Sequence, residues 1–103
     1  MDEIQVKGIH LLDEAERIMA DELIKEHYAK IQREFKGISS LIIQFKEYKK
    51  ESKRKKYSVN VKAIAPGNMF ESEVADWDLA KTIHKAMNKI KSEIEHKLHV
   101  SSN

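Results

Sequence analysis

Residues 41–63 read LIIQFKEYKKESKRKKYSVNVKA, and this stretch decides the fold. Apolar and polar residues alternate on both sides of a basic run, which is the period-two pattern of strands with one buried face. Two strands joined by a short connection pair antiparallel, as a hairpin. The basic run, residues 46–56, holds seven cations and two anions and is therefore predicted to lie at the hairpin tip, as a solvated loop or as an interaction arm that could meet a phosphate backbone.

Residues upstream of the hairpin predict a strand and a long helix. Residues 4–9 alternate between apolar and polar side chains, as in a short strand. From Leu12 to Phe35, apolar residues recur at steps of three and four, which indicates one apolar helix face. Asp13, Glu14 and Glu16 supply the negative charge that a helix dipole favours at the helix N-terminus. We expect a helix of about 24 residues here.

Residues downstream of the hairpin predict one more strand and a second helix. A Pro-Gly-Asn turn at 66–68 precedes a weaker strand at 69–74, whose two glutamates indicate an edge position. A second amphipathic pattern then runs to Leu98, with Asp76 or Asp78 as its N-cap. The chain is thus expected to hold a strand, a helix, three strands and a helix.

This order predicts an α+β fold, a two-layer sandwich of β-α-β-β-β-α topology. Two helices with one apolar stripe each would cover one face of a four-stranded, mostly antiparallel sheet. The first strand, followed by a helical crossover, would pair parallel with a neighbour. The opposite sheet face would be polar and would carry Gln44, Lys46, Ser58, Asn60, Lys62 and Glu71.

Length and composition narrow the class of protein. A chain of 103 residues is predicted to form one domain over residues 1–98, followed by a disordered tail at 99–103. It has no cysteine, which excludes disulfides and cysteine-ligated zinc. Neither a signal peptide nor an apolar run long enough for a membrane span is apparent, so a cytoplasmic location away from membranes is expected.

Cations of the second helix suggest a surface for phosphates. Lys81, Lys85 and Lys89 are spaced four residues apart, and Lys91 extends the basic surface. No acid lies between residues 78 and 93, so these lysines lack carboxylate partners within the helix. Such a stripe is suited to an RNA backbone, with a merely solvated helix face as the alternative.

Few residues are arranged as a metal site or a catalytic site would require. The five histidines are scattered, and His96 and His99 beside Glu95 lack a fixed third ligand for a metal. Glu71 and Glu73 favour an exposed strand edge over acid–base catalysis. We therefore expect no catalytic residue, no cofactor, no metal and no small-molecule substrate.

Residues 27–31, His-Tyr-Ala-Lys-Ile, followed by Phe35 and Ile38, resemble the K-F-A-K-L…F-x-x-I helix end of ribosome hibernation-promoting factors, also called ribosome-associated inhibitors. Residues 78–94 carry D-x4-I…N-K-I…I, similar to the family's D-x4-I-D…D-K-L…L. The resemblance covers residues 4–98 and implies the same β-α-β-β-β-α fold. It also implies binding to the small ribosomal subunit, in the tRNA and mRNA cleft, by a short form without the C-terminal extension of long forms.

The hypothesis from sequence is therefore a non-enzymatic rRNA-binding protein that silences translation by occlusion. Its cations are expected to converge on one continuous surface. The predicted RNA contacts are Lys30, Arg33, Lys36, Lys49, Lys50, Lys53, Arg54, Lys55, Lys56, Lys81, Lys85, Lys89 and Lys91. Two alternatives stay open: a module like a double-stranded RNA-binding domain, or a protein-interaction domain whose basic run meets an acidic partner. Oligomeric state is not predicted.

Overall fold

The protein folds as the α+β sandwich that its apolar spacing predicts, with elements in the order β-α-β-β-β-α. The structure is a computed structural model that describes residues 4–51 and 54–99, with the backbone alone for residues 48–51 and 99. Its elements are β1 (Ile4–Lys7), α1 (Glu14–Glu34), β2 (Ser40–Glu51), β3 (Arg54–Ala65), β4 (Asn68–Asp76) and α2 (Leu79–His99), with a short 3-10 helix at Ile9–Leu11. Helix α1 has 21 residues, slightly fewer than expected. Helix α2 includes His99, which was expected in the tail, and residues 100–103 lie outside the described part.

The sheet has the order β1-β2-β3-β4 and the predicted pairing directions. Strand β1 pairs parallel with β2, and β2, β3 and β4 form an antiparallel meander. Phe45 of β2 lies opposite Val59 of β3, which lies opposite Val74 of β4. This register turns one apolar row per strand toward the helices, as the period-two pattern requires.

The core lies between that sheet face and the two helices. Strand residues of this face and helix residues of the apolar stripes are buried together, as the helical spacing predicts. They include Leu41, Ile43, Phe45, Val59, Val61, Ala63, Ile24, Ile31, Ile83, Met87 and Ile90.

Strand β1 ends earlier than predicted, at Lys7, because the chain turns at Gly8. Gly8 has φ +79°, a left-handed conformation that disfavours other residues. A Cβ atom there would also overlap the carbonyl oxygen of Phe45 in β2. The turn therefore packs against the sheet backbone and leads the chain into the 3-10 helix.

Both helices begin at an aspartate. The backbone N–H of Glu16 donates to Asp13 Oδ1 at 2.8 Å, and the Asp13 N–H donates to Glu16 Oε1 at 2.9 Å, which is a capping box. Of the two caps predicted for α2, Asp76 and Asp78, it is Asp78 whose Oδ1 accepts from the Lys81 N–H at 2.8 Å. Two carboxylates thus satisfy the donors that an anion would otherwise find at these helix ends.

The described parts of the basic run, residues 46–51 and 54–56, are strand rather than loop, so the prediction of a loop was wrong there. Strand β2 continues to Glu51 and β3 begins at Arg54, with Lys50 opposite Lys55 across the pair. The ladder continues past the last buried residue because backbone pairing does not require an apolar side chain, and solvent screens the like charges. We call residues 46–51 and 54–56 the basic arm; Lys53 lies outside the described residues.

The second sheet face is polar, as predicted. The side-chain amide of Asn60 donates to Glu71 Oε2 at 2.8 Å, and Ser58 Oγ donates to Glu73 Oε2 at 3.2 Å. Ser58 is nevertheless buried, since it is only 3% exposed. In the described part of the chain, neither helix is apolar enough over a sufficient length to cross a membrane.

Candidate nucleic-acid interface

The β3 side of the basic arm carries cations that lie over aromatic rings. The Arg54 guanidinium carbon lies 4.6 Å from the centroid of the Trp77 ring, and Lys56 Nζ lies 5.9 Å from the same ring. Lys55 points to the other face of the strand, where its Nζ lies 5.8 Å from the Tyr57 ring. Strand alternation explains this division, and the rings attract the cations without removing their charge.

Tyr57 connects the arm to helix α1. Its hydroxyl donates to Glu16 Oε2 at 2.7 Å. Burial, and then the hydrogen bond to the Glu16 carboxylate, raise the pKa of the Tyr57 hydroxyl. The phenol therefore stays a neutral donor at physiological pH and ties the foot of the arm to the first turn of α1.

A cleft of about 590 Å³ lies between the arm and the N-terminal ends of both helices. Its walls carry opposite charges, with Arg54 and Lys55 on one side and Asp13, Glu16 and Asp78 on the other. Because the two aspartates already cap the helices, the cleft is poorly suited to a phosphate. The arm itself, rather than the cleft beneath it, is the cationic feature at this end of the molecule.

The second helix does not present the uncompensated lysine stripe that its spacing predicts. Lys85 Nζ lies 2.9 Å from Asp76 Oδ2 of β4, and Lys91 Nζ lies 3.4 Å from Glu34 Oε1 of α1. The Lys89 ammonium donates to the Glu73 backbone carbonyl at 3.4 Å. These partners come from other elements, which in-helix spacing cannot reveal.

The Lys85–Asp76 ion pair shifts the pKa of the Asp76 carboxyl. The hydrogen bond from Lys85, followed by the one from the Trp77 N–H, lowers the pKa of the Asp76 carboxyl to about 2. The carboxylate is thus ionised at every physiological pH and offsets the charge of Lys85.

Four predicted contacts lie exposed on or beside the helices without such compensation. Within the described residues, no carboxylate forms an ion pair with Lys30, Arg33, Lys36 or Lys81. Lys81 lies in the first turn of α2, whereas the other three lie at the C-terminal end of α1.

The predicted cations do not gather in one continuous patch. Helices α1 and α2 run parallel: His27 of α1 contacts His84 of α2, and seven residues further along each helix Glu34 contacts Lys91. Both helices start beside the arm, so Lys81 lies near the arm and Lys30 lies toward the far end of a molecule 49 Å long. Sequence reasoning identified exposed cations but not their distribution along the long axis. Lys49 and Lys50 are placed in β2 by backbone alone.

A pair of histidines joins the two helices, and sequence reasoning missed it. His27 Nε2 and His84 Nδ1 are 2.9 Å apart and share a hydrogen bond, with the rings at 69°. Burial, and then His84 and the nearby lysines, lower the pKa of His27 below its ordinary value of 6.5. The histidines are 57 residues apart in sequence, so only the packing of α1 against α2 could reveal them.

Two solved structures share this fold over nearly their whole length. A ribosomal subunit interface protein from Coxiella burnetii matches with a TM-score of 0.67 and 23% identity, over 92% of this chain and 97% of that one. The Protein Y N-terminal domain of Thermus thermophilus matches with a TM-score of 0.60 and 18% identity, over 93% of this chain and 98% of that one. The β-α-β-β-β-α fold that the sequence resemblance implied is thus confirmed. The sequence matches no protein-family model and no curated protein.

Proposed function

We propose that this chain is a ribosome-associated, non-enzymatic rRNA-binding protein that occupies the tRNA and mRNA cleft of the small subunit and silences translation. One observation carries the proposal: the fold matches 97% of the length of a ribosomal subunit interface protein. The match spans both helices and the sheet, so it concerns the whole domain rather than a common supersecondary motif.

The distribution of charge supports an RNA partner. Arg54, Lys55 and Lys56 lie at the outer end of the basic arm, while Lys30 and Lys81 lie toward opposite ends of the helix layer. Lysine and arginine side chains neutralise backbone phosphates and release counterions, which gives affinity without base readout. Cations on the arm and on both helices suit a long, shaped RNA surface better than a single phosphate group.

Occlusion requires no chemical step. The molecule measures 49 × 28 × 19 Å, so it would fill a path that a single RNA strand follows. A rigid two-layer body held by backbone contacts excludes other ligands sterically, and no bond need form or break. Within the described residues, no cluster of three or more potential metal ligands is present.

The cap of α2 favours this proposal over a double-stranded RNA-binding domain. Double-stranded RNA-binding domains bring helix-terminal cations to phosphates and recognise shape. Here Asp78 caps the N-terminus of α2 and accepts the Lys81 N–H, so a carboxylate lies where a phosphate would approach. A protein-binding role for the arm is decided by the experiment below.

Co-sedimentation of the purified chain with small ribosomal subunits tests the proposal. We expect retention at about 0.05 M salt and a steep loss by about 0.2 M, because phosphate contacts depend on counterion release. Addition of the chain to a cell-free extract should inhibit translation in proportion to subunit occupancy. Retention that salt does not weaken, or binding to a protein that survives RNase, would contradict an rRNA contact.

A further inference from the structure

The His27–His84 pair occupies the seam between α1 and α2, and its geometry fixes the protons it can hold. In a hydrogen bond between two imidazoles, one ring donates an N–H and the other accepts with a lone pair. His27 Nε2 and His84 Nδ1, at 2.9 Å, are the facing atoms. The centroids are 5.1 Å apart, as expected for rings that meet nearly end to end. The outward nitrogens are therefore His27 Nδ1 and His84 Nε2.

The first added proton changes the outward nitrogens and leaves the inner hydrogen bond intact. In the neutral pair, one outward nitrogen carries a hydrogen and the other is an acceptor. When the donor ring becomes an imidazolium, both outward nitrogens carry N–H groups and the inner bond becomes charge-assisted. A second proton would place two N–H groups face to face and break the inner bond. The singly protonated pair is thus a cation with two outward donors.

The charges around the pair decide when it takes up that proton. On α1, Lys30 opposes a positive charge on His27 and Glu26 favours it; on α2, Lys91 opposes it. Lys91 is itself 3.4 Å from Glu34 of α1. Partial burial of His27 acts in the same direction as the lysines, so its pKa is lowered. His27 is therefore harder to protonate than an ordinary histidine.

The outward nitrogen of His84 belongs to an exposed side chain. His84 is exposed and His27 is half-buried, and within the described residues neither ring has a hydrogen-bond partner besides the other. The two outward nitrogens point away from each other, so one phosphate can accept from only one of them, and His84 is the exposed ring of the pair. The negative charge of that phosphate would favour the protonated pair, as an opposite charge at short range does.

We propose that the His27–His84 pair is a proton-linked phosphate site, at which an RNA backbone phosphate binds the singly protonated pair. This rests on the proposed function, because the RNA supplies the phosphate. Association then takes up a proton, and by linkage the affinity rises as pH falls. The site would make binding stronger in an acidified cell without any change of fold.

The test compares the affinity for small subunits at about pH 8 and about pH 6, at constant ionic strength. If the bound phosphate raises the pKa of the pair by about one unit, the wild type should bind roughly fivefold tighter at the lower pH. His27→Gln and His84→Gln should abolish most of this gain, since glutamine retains hydrogen bonding but does not titrate. His10→Gln and His96→Gln, which change exposed histidines elsewhere, should retain it.

A second measurement separates this site from the ribosomal proposal. The imidazole NMR signals of His27 and His84 are titrated with and without an oligouridylate of about ten nucleotides. We expect the RNA to raise the pKa of His27, whether or not the chain sediments with subunits. A raised pKa without subunit binding would retain the phosphate site and contradict the ribosomal role. Equal subunit binding at both pH values in the wild type and both variants would retain the ribosomal role and overturn the site, as would a pKa that RNA leaves unchanged.

Discussion

The basic arm and the helix layer are both rich in lysine, but they hold their cations in different ways. In the arm, Arg54 lies over the Trp77 ring and Lys55 over the Tyr57 ring. In the helix layer, Lys85 and Lys91 are held by carboxylates from β4 and α1. A ring attracts a cation and leaves its charge, whereas a carboxylate cancels it. The number of lysines in a segment therefore does not give the field that an RNA would meet.

The largest expected effect comes from removing the arm's cations. The triple variant Arg54→Gln, Lys55→Gln and Lys56→Gln should weaken association with small subunits by roughly 100-fold at low salt, taking about 1 kcal/mol per phosphate contact. The slope of log affinity against log salt should fall by about one for each phosphate that the variant no longer neutralises. Co-sedimentation across a salt series measures both quantities.

A matched triple variant provides the control for net charge. Lys7→Gln, Lys25→Gln and Lys62→Gln remove three cations from β1, the outer side of α1 and the polar sheet face. Lys25 already pairs with Asp21 at 3.0 Å. If this variant loses as much affinity as the arm variant, net charge alone governs binding and the arm is no specific contact.

Two double variants within the helix layer sharpen the difference between free and paired lysines. Lys30→Gln with Lys81→Gln should weaken subunit binding roughly 30-fold, at about 1 kcal/mol each, because each removes a cation without a carboxylate partner. Lys85→Gln with Lys91→Gln removes the same formal charge but frees two carboxylates, and we expect a loss of roughly threefold or less. Affinities at one salt concentration suffice. Equal losses in the two variants would show that the ion pairs do not screen these lysines from RNA.

The sequence predicted the parts of this molecule that depend on local pattern. Alternation over residues 41–63 was enough to predict the β2–β3 hairpin, and the steps of three and four indicated both helices. A cap of α2 at Asp76 or Asp78 followed from their position before an apolar stripe, and the structure selects Asp78. These features follow from sequence because each is determined by residues within a few positions of one another.

The features that sequence reasoning missed are those in which two distant segments meet. Lys85 meets Asp76 through the packing of α2 beside β4, and His27 meets His84 through the packing of α1 beside α2. The basic run was predicted as a loop because its charges cannot be buried, yet backbone pairing continues there in solvent. The rRNA contacts themselves stay predictions, and the variants above test them.

Trp77 tests whether the rings, and not only the charges, matter to the arm. Trp77→Leu removes the ring beneath Arg54 and near Lys56 while keeping an apolar side chain. We expect subunit binding to weaken by roughly threefold, since a surface cation–π contact contributes about 0.5–1 kcal/mol toward holding the arm in place. Hydrogen exchange at residues 54–56 should become faster in the same variant.

Trp77→Phe is the matched control for this change, because it keeps an aromatic face and should retain most of the affinity. If leucine and phenylalanine give the same affinity and the same exchange rates, the ring does not position the arm. Its contribution would then be apolar packing at the start of α2 alone.

The smallest expected effect concerns the Lys85–Asp76 ion pair, in which a carboxylate offsets the charge of a lysine. The Asp76 carboxyl has a pKa of about 2 in the folded chain, below its ordinary value of 3.8, mainly because Lys85 donates to it. A depressed carboxyl pKa stabilises the fold above the unfolded pKa, and this stabilisation is lost as pH falls through the folded value. The free energy of unfolding of the wild type should therefore fall relative to Asp76→Asn between about pH 4 and about pH 2. Urea unfolding at a series of pH values measures the difference.

Lys85→Gln separates the ion pair from the other contact of Asp76. The Trp77 N–H still donates to Asp76 Oδ1 in this variant, and an asparagine oxygen can accept the same bond. If Lys85 is the main cause of the lowered pKa, Lys85→Gln should lose most of the pH-dependent difference from Asp76→Asn. If the difference persists in full, the turn into α2 holds the carboxylate by backbone alone. Lys85 would then carry a charge as available to RNA as those of Lys30 and Lys81, and the contrast between arm and helix layer would rest on Lys91 only.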